Sequence, residues 1–201
     1  MRQLVRYPVK LIGASVLQPL TSQYGVLHHL YETQANGIVY TEPVVSSGQL
    51  IGIVSTLHTG KLAVIPATTL KNYLEDIAVL PYRGFPSLGI RYQSLVSSDL
   101  RHALGVTKEI GVRVVEVARR HSGANSLAED DIITHIGQVA IDRQGYYRDP
   151  IWGDLPLGGL LNLYKPGDRL DVRVLRLGKP VKLRVLLIRH DSNRPIISYQ
   201  R

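Results

Sequence analysis

Seven histidines are the first candidates for chemistry in this chain of 201 residues. His28 and His29 are adjacent, and side chains alternate across a strand, so the two face opposite ways and cannot chelate one metal together. His58, His102, His121, His135 and His190 are scattered without ligand spacing, and none has a paired partner in sequence. A surface or satisfied-core role is expected for all of them. Only Glu32 and Glu42 are acidic before Glu75, too few to supply a carboxylate orienter or an acid/base pair. Asp130-Asp131 shape the turn before a strand, since a calcium site would need more oxygen ligands than that stretch offers. Gly158-Gly159 lacks the spacing of a phosphate-cradling loop and reads as close helix packing. The chain has no cysteine, which removes disulfides, thiolate zinc sites and thiol nucleophiles together. No catalytic residue, metal or cofactor is expected.

The elements that must position any site come from a chain of ordinary globular composition, 44% hydrophobic and 20% charged. No apolar run is long enough to span a bilayer, and residues 1–10 lack the apolar core of a secretory signal; the compartment stays open. The net charge of +8 is lopsided, with ten basic and three acidic residues in 165–201. Arg173, Lys182 and Arg184 alternate there with Val172, Val174, Leu183 and Val185, as on the wet face of a half-buried sheet. Tyr199 is the only aromatic residue of that stretch. Without a stacking platform, nucleic acid is not expected as a partner.

Residues 11–16, 24–31, 37–41, 49–56 and 61–65 read as strands, at a spacing that suggests a small antiparallel barrel or half of a larger one. Pro66-Ala67-Thr68 opens a helix whose stripe of Leu70, Tyr73, Leu74 and Ile77 is expected to lie across that barrel. The break Pro81-Tyr82-Arg83-Gly84-Phe85-Pro86 places a boundary between domains at 1–80 and 81–201. Beyond it, strands are expected over 88–93, 112–117 and 132–136. A short helix capped by Ser97-Ser98 and ended by Gly105 falls among them. Residues 143–154 read as a long loop and 155–164 as a helix, stopped by Pro166-Gly167-Asp168. A β-hairpin over 170–189 turns at Gly178-Lys179-Pro180.

The run Leu88-Gly89-Ile90-Arg91-Tyr92-Gln93-Ser94-Leu95, with Gly111-Val112-Arg113-Val114, resembles a PDZ domain of the HtrA/Deg protease type. The later order of Asp130-Asp131-Ile132-Ile133, Ile136-Gly137-Gln138, Pro166-Gly167-Asp168 and Val174-Leu175-Arg176-Leu177-Gly178-Lys179 carries the same likeness. The long loop before Leu155 is most similar to plant Deg-type and related bacterial enzymes. Gly48-Gln49-Leu50-Ile51-Gly52-Ile53-Val54-Ser55, Ala63-Val64-Ile65-Pro66-Ala67 and the helix after them resemble the last strands and linker helix of a trypsin-like HtrA protease domain. The fold so implied is β-rich and two-domain: an incomplete trypsin-like antiparallel β-barrel, followed by an α+β PDZ-like domain with a basic tail.

The resemblance implies that the barrel carrying the family's catalytic histidine and aspartate lies outside the matched residues. The Gly-Asn-Ser-Gly-Gly-Pro turn that bears the nucleophile in active relatives has no counterpart among Ile38-Val39-Tyr40-Thr41-Glu42-Pro43-Val44-Val45-Ser46-Ser47-Gly48. Aligning the prolines puts Tyr40 at the serine; aligning the preceding strand deletes the turn. Ser46 and Ser47 lie too close to the next strand to replace it and read as a polar turn.

Recognition remains. PDZ-like domains add an extended peptide to a sheet edge. The resemblance places a carboxylate-binding loop over 83–88, with Leu88, Gly89 and Ile90 supplying amides and Arg83 assisting. Ile90, Arg91 and Tyr92 would edge the groove, and Leu157, Leu160 and Leu161 would wall a pocket for an apolar terminal side chain. Pro86 removes one amide from the nest, and Phe85 makes the loop bulky. The expected function is therefore non-catalytic binding of a protein or peptide partner through a free C-terminus. The alternatives are a structural subunit of a larger assembly with an occluded groove, or the C-terminal part of a split endopeptidase.

Overall fold

The chain is described by a computed structural model over residues 8–17, 26–34, 38, 40–58, 60–79, 81, 83–106, 110–118 and 127–189. Two compact units result; among the described residues the second begins at Arg83.

The first unit holds β1 (Lys10–Leu17), β2 (Val26–Glu32), β3 (Pro43–Ser46), β4 (Gln49–His58) and β5 (Lys61–Pro66). They form an antiparallel half-barrel sheet in the order β1-β2-β5-β4-β3. Tyr31, Val44, Val54, Leu62 and Val64 fill one face. Of the strand expected over 37–41, Tyr40-Thr41 make a turn that leads into β3, while residues 37 and 39 lie outside the described residues. Ser46 then pairs with Gln49 across Ser47 and Gly48, both at positive φ. This two-residue hairpin is the polar turn expected of those serines. At Gly52 a side chain would run into the Ile65 carbonyl, so glycine there lets β4 and β5 approach.

The helix α1 (Ala67–Ile77) packs on β4 and β5, but not through its apolar stripe. Tyr73, Leu74 and Ile77 are exposed and Leu70 is half-buried, whereas Asp76 is buried and Thr69 and Asn72 are half-buried. The positions 69, 72 and 76 share one helix face by their three- and four-residue spacing. The expected orientation is thus reversed: the polar face meets the sheet.

In the second unit, β6 (Pro86–Ser87), β7 (Ile90–Ser94), α2 (Ser98–Ala103), β8 (Val112–Val117), β9 (Ile132–Ile136) and β10 (Val139–Ala140) come first. They are followed by β11 (Tyr146–Asp149), β12 (Gly153–Pro156), α3 (Gly158–Leu161), β13 (Arg169–Arg176), β14 (Lys179–Leu186) and β15 (Ile188–Arg189). The main sheet runs β14-β13-β9-β8-β7, with β10 on β9; β15 pairs with β6. Along β13 and β14, Leu170, Val172, Val174, Leu183 and Val185 are buried while Lys182 and Arg184 are exposed, the alternation of a one-sided sheet. Ser97 Oγ accepts from the Leu100 N–H and caps α2, as its position in the sequence requires.

Residues 143–154 are not one long loop. Tyr146–Asp149 and Gly153–Pro156 pair as an antiparallel hairpin. Asp149 Oδ1 accepts the Ile151 and Trp152 amides at 2.8 Å each, which builds the turn at Pro150 from a side chain. Buried Tyr147 and Leu155 give that hairpin an inner face, and burial, then Asp149, pushes the Tyr147 phenol up to about 12. The helix expected over 155–164 shrinks to α3, because Leu155 belongs to β12.

Candidate functional site: an open strand edge beside a short helix

Among the described residues β7 pairs only with β8, so its other edge is open. Side chains alternate along it. Ile90 and Tyr92 share one face; Arg91 takes the other and forms an ion pair with Glu116 of β8 at 2.7 Å. Arg91 therefore lends the edge its backbone, not a groove side chain. Ile90 is half-buried and Tyr92 is 40% exposed. Leu88, Leu157, Leu160 and Leu161 are all buried.

Gly145 joins the two walls. Its carbonyl accepts the Leu157 N–H at 2.9 Å, just ahead of α3. A methyl group on it would stand 3.0 Å from Tyr92 Cε2 and 3.2 Å from Val112 Cγ1. The structure so brings Tyr92 and Leu157, 65 positions apart in sequence, against one glycine. Gly145 has φ +90, a conformation that suits glycine. Burial, and then neighbouring Tyr146, raises the Tyr92 phenol above its ordinary value.

At the start of β7 lies the candidate carboxylate loop. Gly89 has φ +65, its N–H donates to Ser87 Oγ at 2.9 Å, and its carbonyl accepts from Ala118 N–H at 2.7 Å. Arg83 is exposed at the head of this loop. A second cation was missed in the sequence. Arg189 sits opposite Pro86 across β15 and β6, and a methyl on Gly84 would meet its Cγ and Nε at 3.0 Å. The only signal for it was a basic residue at the end of the C-terminal hairpin. Ser87 and Gly145 were also missed. A hydroxyl two residues before a glycine and a glycine before a tyrosine pair are weak signals by themselves.

Elsewhere on the unit, Arg173 lies directly between His135 and Lys182 across three strands. Burial, then Arg173, lowers the pKa of His135. Among the described residues no group of histidines and acids could hold a metal ion, and no helix is long and apolar enough to cross a membrane.

No protein-family profile matches the chain. Three curated proteins of Arabidopsis thaliana do. The chain is 27% identical over 147 residues to putative protease Do-like 11, mitochondrial, covering 72% of this chain and 26% of that protein. It is 26% identical over 149 residues to putative protease Do-like 13, covering 72% and 31%. With protease Do-like 2, chloroplastic, the identity is 25% over 146 residues, covering 70% and 24%. The chain is related to the HtrA-type, Do-like proteases. It spans 24–31% of the length of these curated relatives. Solved structures agree on the fold. The HtrA-type protease AlgW with a decapeptide superposes with a TM-score of 0.50 at 16% identity, over 89% of this chain and 61% of that one. A serine-to-alanine variant of AlgW, also with a decapeptide, gives 0.51 at 17% identity, over 92% and 60%. The HtrA-related chain is accordingly a partial trypsin-like barrel followed by a PDZ-like unit, as its motifs imply.

Proposed function

We infer that this HtrA-related chain is a non-catalytic binding protein that takes an extended peptide, through its free C-terminus, onto the edge of β7. The observation that carries the reading is the open edge of β7, with Ile90 and Tyr92 on one face and Gly145 linking that face to Leu157. A peptide added there gains main-chain hydrogen bonds from β7, while half-buried Ile90 and partly exposed Tyr92 offer apolar surface to its side chains. Arg83 and Arg189 supply positive charge where a carboxylate would end. Two features support the absence of catalysis. The serine turn of active relatives has no counterpart before Gln49, and Ser46 and Ser47 serve the β3–β4 hairpin.

A second reading has its own observation. Leu88, Leu157, Leu160 and Leu161 are buried within the unit, and the Gly89 amide is bonded internally. A groove closed in this way suits a structural subunit of a larger assembly. The test is a fluorescence titration with peptides ending in apolar residues, each paired with its C-terminal amide, with casein cleavage followed alongside. Binding lost on amidation, without cleavage, is the expected result. No binding of either form favours the structural subunit. Cleavage that survives further purification overturns the non-catalytic reading and favours a part of an endopeptidase.

A further inference from the structure

We propose that the Ser87 hydroxyl is an internal competitor for the carboxylate end of the groove, so that only a fully ionised peptide terminus opens it. This rests on the groove reading above and concerns its regulation by one of the chain's own side chains. Both polar groups of Gly89 are engaged within the chain: N–H to Ser87 Oγ at 2.9 Å, C=O from Ala118 N–H at 2.7 Å. The N–H is the group a ligand carboxylate would need, and a neutral hydroxyl holds it. The backbone of Ser87 is fixed by pairing with Ile188, so the hydroxyl leaves by rotation about one bond, without movement of the loop. A hydrogen bond to an ionised oxygen is roughly twice as strong as one between neutral groups. A carboxylate therefore displaces the hydroxyl, whereas the carbonyl of a terminal amide only exchanges one neutral bond for another. Arg189, lying against Gly84, biases the same end of the groove towards an anion.

The test titrates a labelled peptide ending in an apolar residue, as free acid and as amide, against the full chain and its Ser87→Ala and Ser87→Thr variants. Removing the hydroxyl is expected to tighten free-acid binding about five-fold, roughly the worth of one neutral hydrogen bond. Amide binding tightens by no more than this, since its carbonyl takes up the same freed N–H as a neutral bond, and the threonine variant, which keeps a hydroxyl, binds as the parent does. Hydrogen exchange at the Gly89 amide reads the same bond without a ligand: slow in the parent, faster in Ser87→Ala, with Val112 unchanged as the check on folding. Free-acid binding by Ser87→Ala no tighter than the parent's, or unchanged Gly89 exchange, overturns the proposal and leaves the groove reading standing. Equal binding of acid and amide by all three proteins overturns both.

Discussion

Arg176 meets Asp131 with two parallel hydrogen bonds, Nε to Oδ1 at 2.7 Å and Nη2 to Oδ2 at 2.8 Å, across 45 positions of sequence. Asp131 is wholly buried, and its Oδ2 also accepts the Ala128 N–H at 2.8 Å. One carboxylate so fixes the turn before β9 and binds it to the end of β13. The hydrogen bond to Asp131 raises the arginine pKa further, against the opposing effect of burial. Asp131→Ala is expected to cost about 3 kcal/mol, the low end for a broken buried pair, because Arg176 is partly exposed. Arg176→Lys keeps the charge and loses the fork, at about 1 kcal/mol. Urea unfolding followed by Trp152 fluorescence measures both, and near-equal losses would contradict the bidentate account.

The reversed face of α1 gives a second prediction. Leu74 is 61% exposed and Asp76 is 4% exposed. Leu74→Lys should leave stability within about 0.5 kcal/mol, as for an ordinary surface site. Asp76→Ala should lose about 1–3 kcal/mol, because the polar groups facing a buried carboxylate are left without it. If thermal melts rank the two variants the other way, the apolar stripe packs inward after all.

Gly145 tests the architecture of the groove. An alanine there must adopt φ +90 and place its methyl 3.0 Å from the Tyr92 ring. Gly145→Ala is expected to cost about 2 kcal/mol through strain and crowding together. Trimming Tyr92 to alanine relieves the crowding but not the backbone. The double variant should therefore be more stable than the sum of the single losses allows, by at least about 0.5 kcal/mol. Strict additivity in denaturant unfolding would show that Tyr92 does not lie over Gly145.

These sites show which parts of the molecule could be read from sequence. The hairpin of β13 and β14 was legible because one face is wet and the other dry, so Arg173 and Lys182 mark a period of two against Val172, Val174 and Leu183. The α1 helix was legible as a helix, but not in its orientation. An apolar stripe predicts burial only if nothing polar competes, and Asp76, Asn72 and Thr69 take that place. The hairpin of β11 and β12 was hidden because Asp149 builds its turn from a side chain, leaving only the loop-like composition of Arg148, Asp149 and Pro150 visible. Of the candidate site, the edge from Leu88 to Tyr92 was carried by its motif. The Ser87–Gly89 bond depends on a rotamer and the Arg189 contact on strand pairing, and both leave only weak marks in residue order.

Acid should weaken the first unit through His29. This residue stands on β2 opposite Ala14 on one side and Val64 on the other. Burial first, and the adjacent His28 second, lower its pKa from the ordinary 6.5. The folded chain therefore takes up the proton later than the unfolded chain does. Above about pH 7.5 both states are neutral at this site and its effect vanishes. As the pH falls through 6.5 the unfolded state gains the proton first, so stability declines until the folded pKa is passed. His135 carries the same sign in the second unit, where burial and Arg173 lower its pKa. Being more exposed, it contributes less. Thermal unfolding of the full chain from about pH 7.5 to 5 should thus show a loss that His29→Gln reduces more than His135→Gln does. A slope that neither variant changes would mean that other groups carry the acid sensitivity.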